Sequence, residues 1–140
     1  PIPILRPNEA AFSAALEVGS RFLIVVSFQP SAAALEQELR AMADAKGRAV
    51  SVDCVVARGA LEALRGGDGA RHDALVAEAV RAHGGSPDAI LLGQFSMARA
   101  RSTVEASVGG LPVITTPDSA VRELRRLVAA KANSEQVQGN

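Results

Sequence analysis

The chain has 140 residues, enough for one domain with a real core, and 48% of them are apolar. Fifteen basic and fifteen acidic residues cancel, so charge gives no reason to expect a nucleic acid or an anionic membrane as partner. The one cysteine, Cys54, excludes an internal disulfide and a multi-cysteine metal site and suits a reducing cytoplasm.

The chain opens on Pro1 rather than methionine, as expected of a processed or truncated product, and no signal peptide is legible. Pro1 to Leu5 reads as a short extended piece. Pro7 and Asn8 then start a helix, with Asn8 as the expected cap. Phe12, Ala15 and Leu16 share a face of this helix, and Gly19 ends it. Phe22 to Phe28 is a continuous apolar run. It predicts a strand buried on both faces and is far too short to span a bilayer. Pro30 and Ser31 turn the chain into a helix with Leu35, Leu39 and Met42 inward.

Val50 to Val56 alternates: Val50, Val52, Cys54 and Val56 on one side, Ser51 and Asp53 on the other. That pattern predicts an edge strand. Gly59 to Leu64 reads as a short helix broken by Gly66-Gly67-Asp68-Gly69. Asp68 caps the next helix, whose inner stripe is Leu75, Val76, Ala79 and Val80, and Gly84-Gly85 ends it. Ala89 to Gly93 is a third buried strand, followed by a helix from about Ser96. Pro112 to Thr115 is a fourth strand. The last helix opens at Pro117 and Asp118, with Val121, Leu124 and Val128 expected inward and Arg122, Arg125 and Arg126 outward. Asn133 to Asn140 is polar and expected to fray.

Strand and helix alternate from Phe22 onward. This predicts an α/β domain, a parallel four-stranded sheet with helices on both faces. Pro1 to Ala10 and Leu111 to Ala120 share an order of proline, short strand, proline, Asn or Asp, then helix. This weak repeat suggests a two-lobed parent. Residues 1–20 would then be the end of a first lobe, 21–132 one α/β lobe and 133–140 a polar tail.

Ligands of open parallel sheets sit beyond the carboxyl ends of the strands. Ser27 to Ser31, the stretch after Val56, Gln94 to Ser96 and Thr115 to Pro117 lie there, and three of them offer hydroxyls or amides near helix starts, where anions are favoured. A small carboxylate fits such a place. Ser27, Phe28, Ser31, Gln94, Phe95, Ser96, Thr115 and Thr116 are the candidate binding residues. The plain alternatives are that Ser31, Ser96 and Asp118 only cap helices and that Gln94 only bonds a neighbouring loop. Cys54, flanked by valines in a strand, reads as a small buried hydrophobe. His72 and His83 read as ordinary helix residues, because their spacing matches no metal-ligand pattern. Gly66 to Gly69 follows a helix and lacks the Gly-Lys-Ser/Thr of a phosphate loop, so no nucleotide site is expected.

Four stretches in this order carry a resemblance: Phe22 to Ser31, Gly66-Gly67-Asp68 with His72-Asp73, Asp88 to Arg99, and Leu111 to Pro117. Together they resemble the second half of the aspartate/glutamate/hydantoin racemase superfamily, which also includes maleate isomerase and arylmalonate decarboxylase. The match runs from Pro3 to about Val128. The resemblance implies one lobe of a two-lobed fold, with the active site between lobes and no metal, flavin or pyridoxal cofactor. It also implies proton transfer at the carbon α to a carboxylate by one cysteine from each lobe. The second-lobe cysteine would follow the third strand in a Leu-Gly-Cys-Thr type motif. Here Leu92-Gly93-Gln94-Phe95 stands there, and Gln94 cannot act as a base. A racemase, an isomerase or a decarboxylase fits this reading, with the 140-residue chain alone expected to be inactive. The alternative is a non-catalytic carboxylate-binding module that kept the fold. Either way the expected partner is a small carboxylate, with no nucleic acid and no membrane, and a homo-oligomer is left open.

Overall fold

A computed structural model describes residues 7–138 of the chain, and side chains within 8–133. The extended piece expected at Pro1 to Leu5 lies outside the described residues. The element order is α1 (Pro7–Val18), β1 (Arg21–Val26), α2 (Pro30–Ala45), β2 (Ser51–Val56), α3 (Ala60–Arg65), α4 (Gly69–His83), β3 (Ala89–Leu92), a 3-10 segment (Phe95–Ala100), α5 (Arg101–Val108), β4 (Val113–Thr115) and α6 (Thr116–Gln138). Among the described residues no helix is long and apolar enough to cross a membrane.

The four strands form one sheet in the order β2-β1-β3-β4, and every pairing is parallel. The two apolar runs, β1 and β3, are central, and the alternating β2 is an edge, as the patterns predict. Leu23, Val25, Ile90 and Leu92 project to one face and pack with Val76, Val80, Met97 and Val104. Phe22, Ile24, Val26 and Leu91 project to the other and pack with Phe12, Leu16, Leu35 and Leu39 of α1 and α2. The sheet is therefore covered on both sides.

From β1 the chain passes through α2 to β2 on one side, and from β2 it returns through α3 and α4 to β3 on the other. Direction reverses between β1 and β3, so the crevice at their carboxyl ends is the topological switch point of the sheet. Gly93 lets the two strand ends close. A Cβ there would lie 2.8 Å from the Leu35 side chain and 3.2 Å from the Val25 carbonyl oxygen. At the opposite end, Asp88 Oδ2 accepts from the amides of Ser20 (2.9 Å) and Arg21 (3.0 Å). A Cβ on Gly19 would strike this side chain, 2.3 Å from the Asp88 Cβ.

Several local expectations give way. Asn8 lies inside α1, which starts at Pro7, and its side-chain amide donates to Glu38 Oε2 instead of capping. Proline is tolerated in a first helical turn because the amide it lacks has no partner there anyway. The helix expected from Ser96 begins as a 3-10 segment at Phe95 and becomes α-helical at Arg101. Val121, Leu124 and Val128 are exposed, not inward. The stripe of α6 that faces the protein is Thr116, Ser119, Ala120, Glu123 and Leu127, one position behind the apolar one. Small residues on that stripe allow a close approach to neighbouring elements, and the apolar stripe is left to solvent. The tail expected from Asn133 continues α6 as far as Gln138.

Candidate functional site

The β1–β3 register pairs Val25 with Leu92, and the Gly93 amide donates to the Val25 carbonyl at 2.8 Å. Two residues beyond that pair, Ser27 stands beside Gln94, and their side chains meet. Gln94 Oε1 accepts from the Ser27 amide at 2.7 Å and from the Ser27 hydroxyl at 2.6 Å. A backbone amide can only donate, so the oxygen of Gln94 must point at Ser27 and its NH2 must point away. That NH2 makes none of the side-chain bonds found among the described residues. The switch point thus presents two amide donors. Gln94 does bond a neighbouring loop, but the bond consumes only its acceptor.

The other candidate residues divide. Ser31 donates its hydroxyl to the Phe28 carbonyl at 2.7 Å, which fixes the loop leading into α2 and is not a cap. Phe28 and Phe95 are 51% and 59% exposed, whereas Phe12 and Phe22 are buried. Ser96 is exposed on the 3-10 segment. Thr115 is turned inward. Its hydroxyl donates to Asp118 Oδ2 at 2.6 Å and accepts from the Asp118 amide at 3.4 Å, the reciprocal pattern of a capping box at the start of α6. Thr115, not Asp118, is therefore the cap. The Thr115 hydroxyl, and then Arg101 at 2.7 Å, hold the Asp118 carboxyl below the usual carboxylate range. Thr116 is buried in the first turn of α6. Since β1, β3 and β4 are consecutive neighbours, their three end loops lie within about 10 Å, two strand spacings. The polar atoms offered there come from Gln94 and Ser96 rather than from Thr115.

A cavity of about 450 Å³ runs along β4, between α1, α5 and α6. Of the candidate residues only Thr115 lines it. Its Arg101 is already balanced by Glu105 and Asp118, so it is the trough beside an uncovered sheet edge rather than an anion pocket.

Cys54 faces α2, with its thiol 3.8 Å from Glu36 Oε2 and 3.9 Å from the Ala32 carbonyl. Burial, then the Glu36 charge, pushes the thiol pKa up from 9.0 to about 11. Such a thiol stays protonated at neutral pH. His83 ends α4 and pairs with Asp53 at 3.1 Å.

His72 is not the ordinary helix residue that its spacing suggests. It is 1% exposed, its Nδ1 lies 2.8 Å from Asp73 Oδ1, and that oxygen also accepts from Arg99 Nε at 3.0 Å. The chain ties the first turns of α4 to the 3-10 segment that carries Phe95 and Ser96. Among the described residues, none bonds the buried His72 Nε2. The signal was present: His72 stands four residues before Val76 and eight before Val80, on the inner stripe of α4.

The family model for Asp/Glu/Hydantoin racemase matches residues 1–124. The chain belongs to this family. Two solved racemases share its fold. Glutamate racemase isoform RacE1 from Bacillus anthracis superposes with a TM-score of 0.69 at 15% identity, over 93% of this chain and 50% of that one. Allantoin racemase from Pseudomonas fluorescens gives 0.69 at 22% identity, over 93% of this chain and 54% of that one. This racemase-family chain therefore spans about half the length of the solved racemases it matches. No curated protein matches it in sequence.

Proposed function

We propose that this chain is the carboxylate-holding lobe of a cofactor-independent enzyme that moves a proton at the carbon α to a carboxylate, and that it corresponds to the second lobe of a two-lobed racemase fold. The observation that carries the reading is the Gln94–Ser27 pair. It leaves an amide NH2 directed away from Ser27 at the switch point of the sheet, where open α/β sheets bind ligands. A proton α to a carboxylate is barely acidic, so its removal needs both a base in reach and donors that hold the developing enediolate. Gln94 supplies donors only. In this reading the base comes from outside the chain. Two features support a covering lobe: the chain spans half the length of the solved racemases, and Val18, Val121, Leu124 and Val128 leave apolar surface open on α1 and α6.

A second reading, a binding module with no chemistry, is favoured by the same amide at the position where the family resemblance puts a thiol. A crystal soaked with small dicarboxylates such as malonate or maleate tests what the two readings share. The expected result is a carboxylate on the Gln94 NH2 beside the loop at Ser27 to Ser31. Occupancy confined to the trough at Arg101 and Arg122 would refute both.

A further inference from the structure

We propose that Gly69, Asp73 and Arg99 are positioning residues: they fix the 3-10 segment that follows Gln94, and through it the direction of the Gln94 amide. This role rests on the carboxylate reading above and names what sets its donors in place. It also gives a use to the glycine-rich turn before α4.

α4 leads into β3, so its first turn stands at the carboxyl end of the sheet, where the 3-10 segment leaves β3. Gln94 immediately precedes that segment, and its carbonyl accepts from the Met97 amide at 3.0 Å. The segment is therefore held at its start by the bonds between Gln94 and Ser27. Near its other end Arg99 Nε donates to Asp73 Oδ1 at 3.0 Å. The same oxygen lies 2.8 Å from His72 Nδ1. An ionised carboxylate only accepts, so that nitrogen carries the proton. The His72 residue is 1% exposed, and its ring is packed in place. It fixes Asp73 Oδ1, and Asp73 in turn fixes Arg99.

Arg99 is held on a second side. Its guanidinium lies against Gly69, the first residue of α4, where a Cβ would come 2.5 Å from Arg99 Cζ. Gly69 is not among the glycines of positive φ. Its backbone suits any residue, and only space calls for glycine there. Alanine would favour the helix over glycine. The guanidinium is planar and rigid, so a side chain that lifts it from Gly69 also draws Nε away from Asp73. The Arg99 side chain is 48% exposed and that of Asp73 15%. A pair so open to water adds little stability; what it supplies is a fixed place for the segment.

Malonate titration of the 140-residue chain, followed by backbone amide signals and by the side-chain NH2 signals of Gln94, tests this role. Gly69→Ala and Arg99→Ala should each move the Gln94 NH2 signals before any ligand is added. Each should weaken malonate binding about three- to thirtyfold, the usual reach of a residue that acts through others. The melting temperature of Gly69→Ala should not fall below the parent's, which separates positioning from loss of fold. The double variant should bind like Arg99→Ala alone, because both changes release the same contact. Unmoved Gln94 signals and unchanged affinity in both single variants would overturn the proposal and leave the carboxylate reading standing. Effects that add in the double variant would also overturn it, since Gly69 would then act by another route. A parent without malonate shifts at Ser27 to Ser31 and Gln94 to Ser96 would refute the carboxylate reading. The Gln94 NH2 signals of the unliganded variants would then decide the positioning role by themselves.

Discussion

Gln94 Oε1 accepts two hydrogen bonds from Ser27, one from the amide and one from the hydroxyl, and so joins the ends of the two central strands. Removing the acceptor should cost stability and ligand together. Gln94→Ala should destabilise the fold by about 1–2 kcal/mol, the usual cost of stranding a partly buried donor. Gln94→Glu keeps an oxygen for Ser27 and replaces the NH2 donors by negative charge. It should melt close to the parent and fail to bind carboxylates. Thermal denaturation beside an NMR titration checks the pair. Unimpaired carboxylate binding by Gln94→Glu would remove Gln94 from the site.

Cys54 is expected to be inert. With its thiol pKa pushed up to about 11, the thiolate fraction at pH 8 is roughly 100-fold below that of a thiol at its ordinary value. Alkylation by iodoacetamide at pH 8 should be slow in the folded chain and become fast in denaturant. Glu36→Gln should speed it by removing the nearby charge. Cys54→Ala should leave carboxylate binding within a few-fold. Loss of all binding with the fold intact would give the thiol a role in the site.

The fold was largely legible because its signals are local. An unbroken apolar run in β1 and an alternating one in β2 distinguish a central from an edge strand before any contact is known. The stripe on α6 is not legible in the same way, because apolar residues at helical spacing reveal a face, not what covers it. Val121, Leu124 and Val128 remain uncovered in this chain. The loop positions of Ser27 and Gln94 could be read from the ends of the apolar runs. Their hydrogen bond could not, since it depends on the β1–β3 register across 67 residues. Position alone makes Thr115 a ligand group, while its hydroxyl is spent on Asp118, a capping box spelled by the spacing. The helical stripe of α4 shows that His72 is buried, but not that its partner Asp73 is also held by Arg99, because that link joins two elements far apart in the chain.

Asp88 gives a pH dependence of known sign. Bonds from the Ser20 amide, then the Arg21 amide, hold its carboxyl below the ordinary value of 3.8. Its folded-state pKa is lower than its unfolded one. The stabilisation is therefore complete above the ordinary value and is lost as pH falls through the lowered folded value. Asp88→Asn keeps an acceptor and does not titrate. Urea midpoints measured from pH 6 down to pH 2 should fall less steeply for this variant than for the parent. Parallel acid limbs would show that Asp88 takes no part in the linkage.

The central claim is that this chain holds a carboxylate without moving a proton. Incubating it in D2O with aspartate, glutamate and maleate, while recording both protein amide shifts and ligand proton signals, addresses both halves in one sample. The account predicts shifts at Ser27 to Ser31 and Gln94 to Ser96 and no deuterium uptake at the carbon α to the carboxylate. Steady uptake at that carbon, abolished by Gln94→Ala, would contradict it and place the catalytic machinery within this lobe.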